Sequence, residues 1–324
     1  MHPAKSVIYF TTATGAGYGL FIWLALFGAS GVIPADQIFG LVSFGIAFFL
    51  VVSGLLSSTL HLAHPERAWR ALSQWRSSWL SREGVIAITT FLPLSLFAIS
   101  WVLLGEVQGL ARTIGALGAI LCLGTVFCTA MIYASLKAIP AWNNVWVVPC
   151  YLIFALASGA LLLSLLLAVF NLPGLGISLV VAVACLALGM LVKLICWSPQ
   201  FATGTSSTSG TATGLGELGE VRLMEAPHTE ANFLLKEMGF QIARKHARKL
   251  RRIAIVLGFV LPAIALGLAL NIDGIAPLFW IIPAVLSHTI GIVTERWLFF
   301  AEAQHVVMLY YGQTEIGPEK TAKG

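Results

Sequence analysis

Charge is scarce in this chain. Asp, Glu, Lys and Arg make up 10% of its 324 residues, and 58% are hydrophobic. An ordinary soluble domain carries about 25% charged residues, so that class is excluded. A mean hydropathy of +0.89 points instead to an integral membrane protein. Cysteine is scarce too. Cys122, Cys128, Cys150, Cys185 and Cys196 all lie in apolar runs, with no C-x-x-C pair and no metal-ligand spacing. That argues against an iron–sulfur cluster held by this chain and leaves the thiols as small buried hydrophobes. The net charge of +5 is small and sits in loops. It speaks for membrane orientation and a partner surface rather than for nucleic acid. A cleavable signal pattern is also missing, since Met1–Lys5 is short and the apolar run behind it is too long.

Long apolar runs are what the chain has in quantity. A bilayer crossing takes about 20 such residues. The runs predict an all-α integral membrane protein, a bundle of about eight transmembrane helices forming one domain over residues 1–324. The expected spans are Val7–Ala29, Ile38–Leu62, Gly84–Leu104, Ile114–Leu136, Val147–Phe170, Ile177–Trp197, Ile253–Leu270 and Pro277–Phe300. One long extramembrane loop, 199–252, falls between the sixth and seventh. Loop charge sets the orientation. One side collects Lys5, Arg67, Arg70, Arg76, Arg82, Lys137, Lys193, Arg222, Lys236, the cluster Arg244–Arg252, Arg296, Lys320 and Lys323. The other side holds Arg112 with Asp36, Glu106 and Asp273. The positive-inside rule places both termini, and the long loop, in the cytoplasm. The first half of that loop is Gly/Ser/Thr-rich and cannot bury a core. The second half reads as a basic helix, suited to anionic headgroups or to docking a cytoplasmic subunit.

Three spans carry local signals. In the first, Gly15-x-x-x-Gly19 lets another helix approach closely; a groove for a flat ligand is the weaker reading. Tyr133 and Trp142, at the end of the fourth, sit where an interfacial aromatic belt belongs. In the eighth, His288, Glu295 and Glu302 recur every seven residues and so share one helix face, with Arg296 and His305 beside them. Ionisable groups inside a span mark a pathway or site, so His288 and Glu295 either line an internal polar path or cap the helix end.

The stretch His61–Gly84 stands out as a polar, aromatic island with two histidines, four arginines, two glutamates and three tryptophans. Pro65 starts a short amphipathic helix after His64, and Ser81 is the expected N-cap of the third span, with Glu83 in its first turn. Trp and Arg at a membrane boundary need no further explanation. The mixture also suits quinol oxidation, which releases two electrons and two protons. A histidine grips and accepts protons from a ring oxygen, a carboxylate passes them on, and an arginine holds the acid ionised. His61, Arg67 and Glu83 supply that set as a quinone site, with His64, His288 and Glu295 as further candidates. No residue is expected to do terminal-substrate catalysis, and no metal site is expected. Two other classes compete. A haem b carrier needs two facing histidines deep in the bilayer, and His61, His64 and His288 fit that poorly. A secondary transporter should show inverted repeats, and none is evident.

Leu60-His61-Leu62, Pro65-x-Arg67-Ala68 and Arg76-Ser-Ser-Trp-Leu-Ser81-x-Glu83 resemble the membrane-anchor subunit of the dimethyl sulfoxide reductase family. The ending Arg296-Trp-Leu-Phe-Phe-Ala-Glu302 is similar to that family's last span. The resemblance implies a non-catalytic, haem-free anchor in the bacterial cytoplasmic membrane. It implies an iron–sulfur electron-transfer subunit and a molybdopterin catalytic subunit as partners. Menaquinol or ubiquinone would be the exchangeable substrate, and His61, Arg67 and Glu83 its contacts. His64 and the tryptophan-rich run depart from the enterobacterial pattern, and a related sulfite-oxidising group looks similar.

Overall fold

The computed structural model describes residues 3–59, 64–198, 206–225, 227, 232, 238, 242–272 and 276–317, with backbone only for 242–245. His61, most of the loop after Ser198, Asp273, Lys320 and Lys323 lie outside the described residues. Among the described residues, eight helices are long and apolar enough to cross a membrane. They are α1 (Lys5–Ala29), α2 (Gln37–Thr59), α3 (Trp79–Ile99, continued by a π turn Ser100–Leu104), α4 (Leu110–Ala134), α5 (Val147–Val169), α6 (Leu175–Trp197), α7 (Ile242–Ile255, a π turn Val256–Val260, then Leu261–Ala269) and α8 (Leu278–Ala301). Most of their backbone hydrogen bonds close within the helix itself, as hydrocarbon demands. The expected spans match one for one. The third begins earlier than Gly84, because Ser78 rather than Ser81 is the N-cap: its side chain accepts from Ser81 N at 3.5 Å. Glu83 is therefore in the second turn of α3.

α1 is the hub. It packs on α2, α4 and α5, and α5 in turn joins this group to a second apolar core shared with α6, α7 and α8. Small residues make the hub possible. A Cβ on Gly19 would lie 1.9 Å from Ala155 O, and one on Gly159 would lie 2.1 Å from Gly19 C. The glycine pair of α1 thus meets a small-residue pair, Ala155 and Gly159, on α5, as close helix crossings require. The groove between Gly15 and Gly19 is filled by α5, not by a ligand.

Tyr133 and Trp142 are buried rather than set in an interfacial belt. Trp142 stacks on Phe299 at 5.5 Å and donates from Nε1 to Phe299 O at 2.8 Å, fastening the α4–α5 loop to the end of α8. Residues 206–225 include no buried residue, as their composition implies. They are held by a two-stranded pairing of Ser207–Thr208 with Glu315–Ile316 and by a capping box between Thr208 and Thr211.

Candidate functional site

The segment after Pro65 is a 3₁₀ helix, Pro65–Gln74, with no buried residue. Ser81 Oγ donates to Ala71 O, and Gly84 leaves room for Leu72, so the segment lies across the start of α3. Trp69 and Trp75 are 67% and 52% exposed, facing whatever surrounds the bundle. Arg82 stacks on Trp79 at 4.3 Å and donates to Trp75 O and Arg76 O, which fixes the corner between the two helices.

The expected site residues separate here. His64 and Arg67 are exposed and both turn to Glu66, at 3.0 and 3.7 Å. No hydrogen bond or ion pair among the described residues joins Arg67 to Glu83. Glu83 points the other way, into the bundle, and is 5% exposed. Its carboxylate accepts a hydrogen bond from Thr129 Oγ1 on α4. Behind Thr129 the threonine line continues with Thr125 and Thr90, 3.3 Å apart.

On α8 the seven-residue spacing does set one face. His288 and Glu295 are buried, and Glu302 forms a two-pronged pair with Arg251 at 3.0 and 2.9 Å. Lys193 and Arg296, assigned above to loop charge, are inside: both are 3% exposed and both contact Glu295, which is fully buried. Arg296 Nε lies 2.8 Å from Glu295 Oε2, and Lys193 Nζ reaches Oε1. Aromatic faces complete the coordination: Arg296 lies over Tyr151 at 4.0 Å and Lys193 over Trp197 at 4.7 Å, an arrangement favoured where cations are desolvated. The signal was in the sequence, since Lys193 stands four residues inside the run ending at Trp197 and an ionisable residue in a span defaults to function. Thr129 and Tyr151 carried no such signal.

His288 is held by a defect in α7. Pro262 has no N–H to give to Gly258 O, four residues back. Leu261 N reaches back to Val256 O in a π turn, which frees Leu257 O as well. Side chains of α8 satisfy both carbonyls: Ser287 Oγ donates to Leu257 O at 2.8 Å, and His288 Nδ1 donates to Gly258 O at 2.6 Å. His288 Nε2 then accepts from Ser158 Oγ at 2.9 Å. The close contact depends on Gly291, where a Cβ would lie 2.1 Å from Gly258 N. His288→Ala is expected to lower the thermal unfolding midpoint of the purified protein by several degrees. Each group left buried without its partner costs about 1–3 kcal/mol. An unchanged melting curve would show that these bonds contribute nothing. At the helix end, His305 Nδ1 accepts from Val307 N at 3.0 Å, and burial lowers its pKa.

Two cavities flank the Glu295 cluster. The larger, about 190 Å³, is bounded by Trp142, Lys193, Trp197, Ser198, Arg251 and Glu302. The smaller, about 20 Å³, is bounded on one side by Thr11, Thr14 and Thr129 and on the other by Tyr151, Ser158 and Arg296. Among the described residues there is no group of three His, Cys, Asp or Glu side chains arranged to hold a metal.

Among the described residues, every buried charge lies toward the end of the bundle that carries the 3₁₀ helix, and comparison with known proteins agrees with an anchor of this build. The family described as the DMSO reductase anchor subunit (DmsC) matches residues 1–301. The C subunit of the sulfite dehydrogenase of Allochromatium vinosum is 33% identical over 96% of this chain and 99% of its own length. The C polypeptide of the anaerobic dimethyl sulfoxide reductase of Escherichia coli K12 is 30% identical over 52% of this chain and 60% of its own length. No solved structure matches. The chain is a multi-pass membrane protein and belongs to the DMSO reductase anchor subunit family.

Proposed function

We propose that this chain anchors a molybdopterin and iron–sulfur oxidoreductase to the bacterial cytoplasmic membrane, with both termini in the cytoplasm, and that it exchanges electrons between a quinone and the iron–sulfur subunit. The carrying observation is the contrast between two buried carboxylates. Glu295 contacts two cations, whereas Glu83, among the described residues, accepts a hydrogen bond from a hydroxyl and forms no ion pair. A carboxyl without a fixed counterion can change its protonation state in place, as a quinone site requires. In quinol oxidation one QH2 gives Q, two protons and two electrons. The two protons pass through Glu83 one after the other, each leaving before the next is taken up, and the electrons go to the iron–sulfur subunit. His61 and Arg67 are the proposed contacts to the ring oxygens, and the exposed Trp69 and Trp75 border the approach from lipid.

Two further observations bear on the reading. His288 has both ring nitrogens engaged, by Gly258 and Ser158, which favours a packing role over haem ligation. The match to the sulfite dehydrogenase C subunit runs over nearly the whole chain. It favours a sulfite-type complex, in which the same site runs in reverse and reduces quinone. Extraction of the native membrane in mild detergent is expected to yield this chain together with an iron–sulfur subunit and a molybdopterin subunit. Recovery of the chain alone, in every mild detergent, would overturn the proposal.

A further inference from the structure

We propose that Lys193, Glu295 and Arg296 form a proton passage connecting Glu83 to the aqueous face at Ser198. The proposal deepens the quinone reading above and rests on it. The three groups span the gap between the two cavities. Lys193 borders the large cavity, Arg296 borders the small one, and Glu295 touches both side chains. The small cavity also has Thr129 in its wall, and Thr129 is the hydrogen-bond partner of Glu83. Tyr151 Oη and Arg296 Nη1 are buried beside it, against each other, and neither completes a well-formed hydrogen bond among the described residues. Its volume of about 20 Å³ takes roughly one water, and a water there would serve both atoms. The large cavity takes several more, and its edge at Ser198 and Gln304 is half-exposed.

Burying three ionic groups is costly unless each is paired, and apolar residues of the same size hold a bundle equally well. Their placement between two polar cavities gives them a use. Arg296 stays protonated and fixes Glu295 in place. A proton leaving Glu83 crosses by the Thr129 hydroxyl and the small cavity to Glu295 and neutralises its carboxylate. Lys193, its counterion gone, releases a proton to water in the large cavity and then takes the one on Glu295. The cluster returns to two cations and one carboxylate, so one proton has moved and none has been gained or lost. Quinone reduction runs the steps in reverse. Among the described residues, Tyr151, under the Arg296 guanidinium, Tyr133, and Cys150 and Cys196, near Lys193, are other titratable groups facing the cluster.

The test is Lys193→Arg in the intact complex. Arginine keeps the charge and the ion pair but does not release a proton. Turnover with a soluble quinone analogue is expected to fall about tenfold or more, with a larger solvent deuterium isotope effect and unchanged analogue affinity. Ser198→Phe, which leaves the ionic groups untouched and obstructs the outer cavity, is expected to act in the same direction and decides the matter if Lys193→Arg fails to assemble. An assembled variant with turnover within about twofold of the parent and the same isotope effect overturns the passage. Glu83→Gln separates the two readings. If it blocks turnover while the other variants do not, only the passage fails. If it has no effect, the quinone site itself is misplaced.

Discussion

Glu83→Gln is expected to reduce quinone-coupled turnover by about a hundredfold or more, the usual range for removing a proton-exchanging group, while the complex still assembles. Gln has the shape of Glu, and its amide oxygen still accepts from Thr129 Oγ1, so the contact between α3 and α4 survives. Only the ability to take up and release a proton is removed. The surroundings make that loss hard to replace. Among the described residues, Arg67 and Arg82 face outward, one toward Glu66 and the other onto Trp79 and the carbonyls of Trp75 and Arg76. The measurement is steady-state turnover of the purified complex, with subunit stoichiometry checked on the same sample. A variant that assembles and turns over at the parent rate removes Glu83 from the site.

Gly159→Ala is expected to prevent stable folding of the bundle. The added Cβ would sit 2.1 Å from Gly19 C and 2.3 Å from Leu20 N. Both neighbours are backbone atoms of the hub helix and cannot rotate aside. α1 and α5 must separate, and the contacts of both helices with α4 and α8 weaken with them. Overpacking costs about 1–3 kcal/mol where side chains can adjust, and here they cannot. Gly45→Ala is the control. Nothing lies within 4 Å of its Cβ, and an alanine in a helix interior is favoured by about 0.5–1 kcal/mol over glycine. The check is monodisperse yield in detergent for both variants. Equal yields would mean that the α1–α5 crossing tolerates a wider spacing than this packing allows.

The eight spans were readable because length and apolar composition report directly on what a bilayer requires. The inward turn of Glu83 was half readable. The sequence marked the residue as chemical, but its partner Thr129 is 46 positions away and looks like any small polar residue in a span. Charge counting failed at Lys193 and Arg296. Near a span's end, the one-dimensional pattern is the same for a side chain that reaches out to water and one that turns inward to a carboxylate. The π turn of α7 was readable in principle, because a proline four residues after Gly258 must leave that carbonyl free. The sequence does not say that Ser287 and His288 would be the side chains to take both freed carbonyls. The third helix start was misplaced by a choice between neighbouring serines, Ser78 and Ser81, which the folded geometry resolves in favour of the first.

The crowding of buried charge at one end of the bundle has an electrical consequence. Glu83 is the fifth residue of α3, and at 1.5 Å per residue it lies only about 6 Å along the helix from its start. The hydrocarbon core is about 30 Å thick, so with the boundary at the start of α3 the proposed proton transfer between Glu83 and the nearer face would traverse roughly a fifth of the transmembrane field. A potential of 100 mV is worth about 2.3 kcal/mol for a full crossing and so about 0.5 kcal/mol for this one, little more than a twofold change in an equilibrium. The redox chemistry proposed for that end would therefore proceed at nearly the same driving force whether the membrane is energised or not.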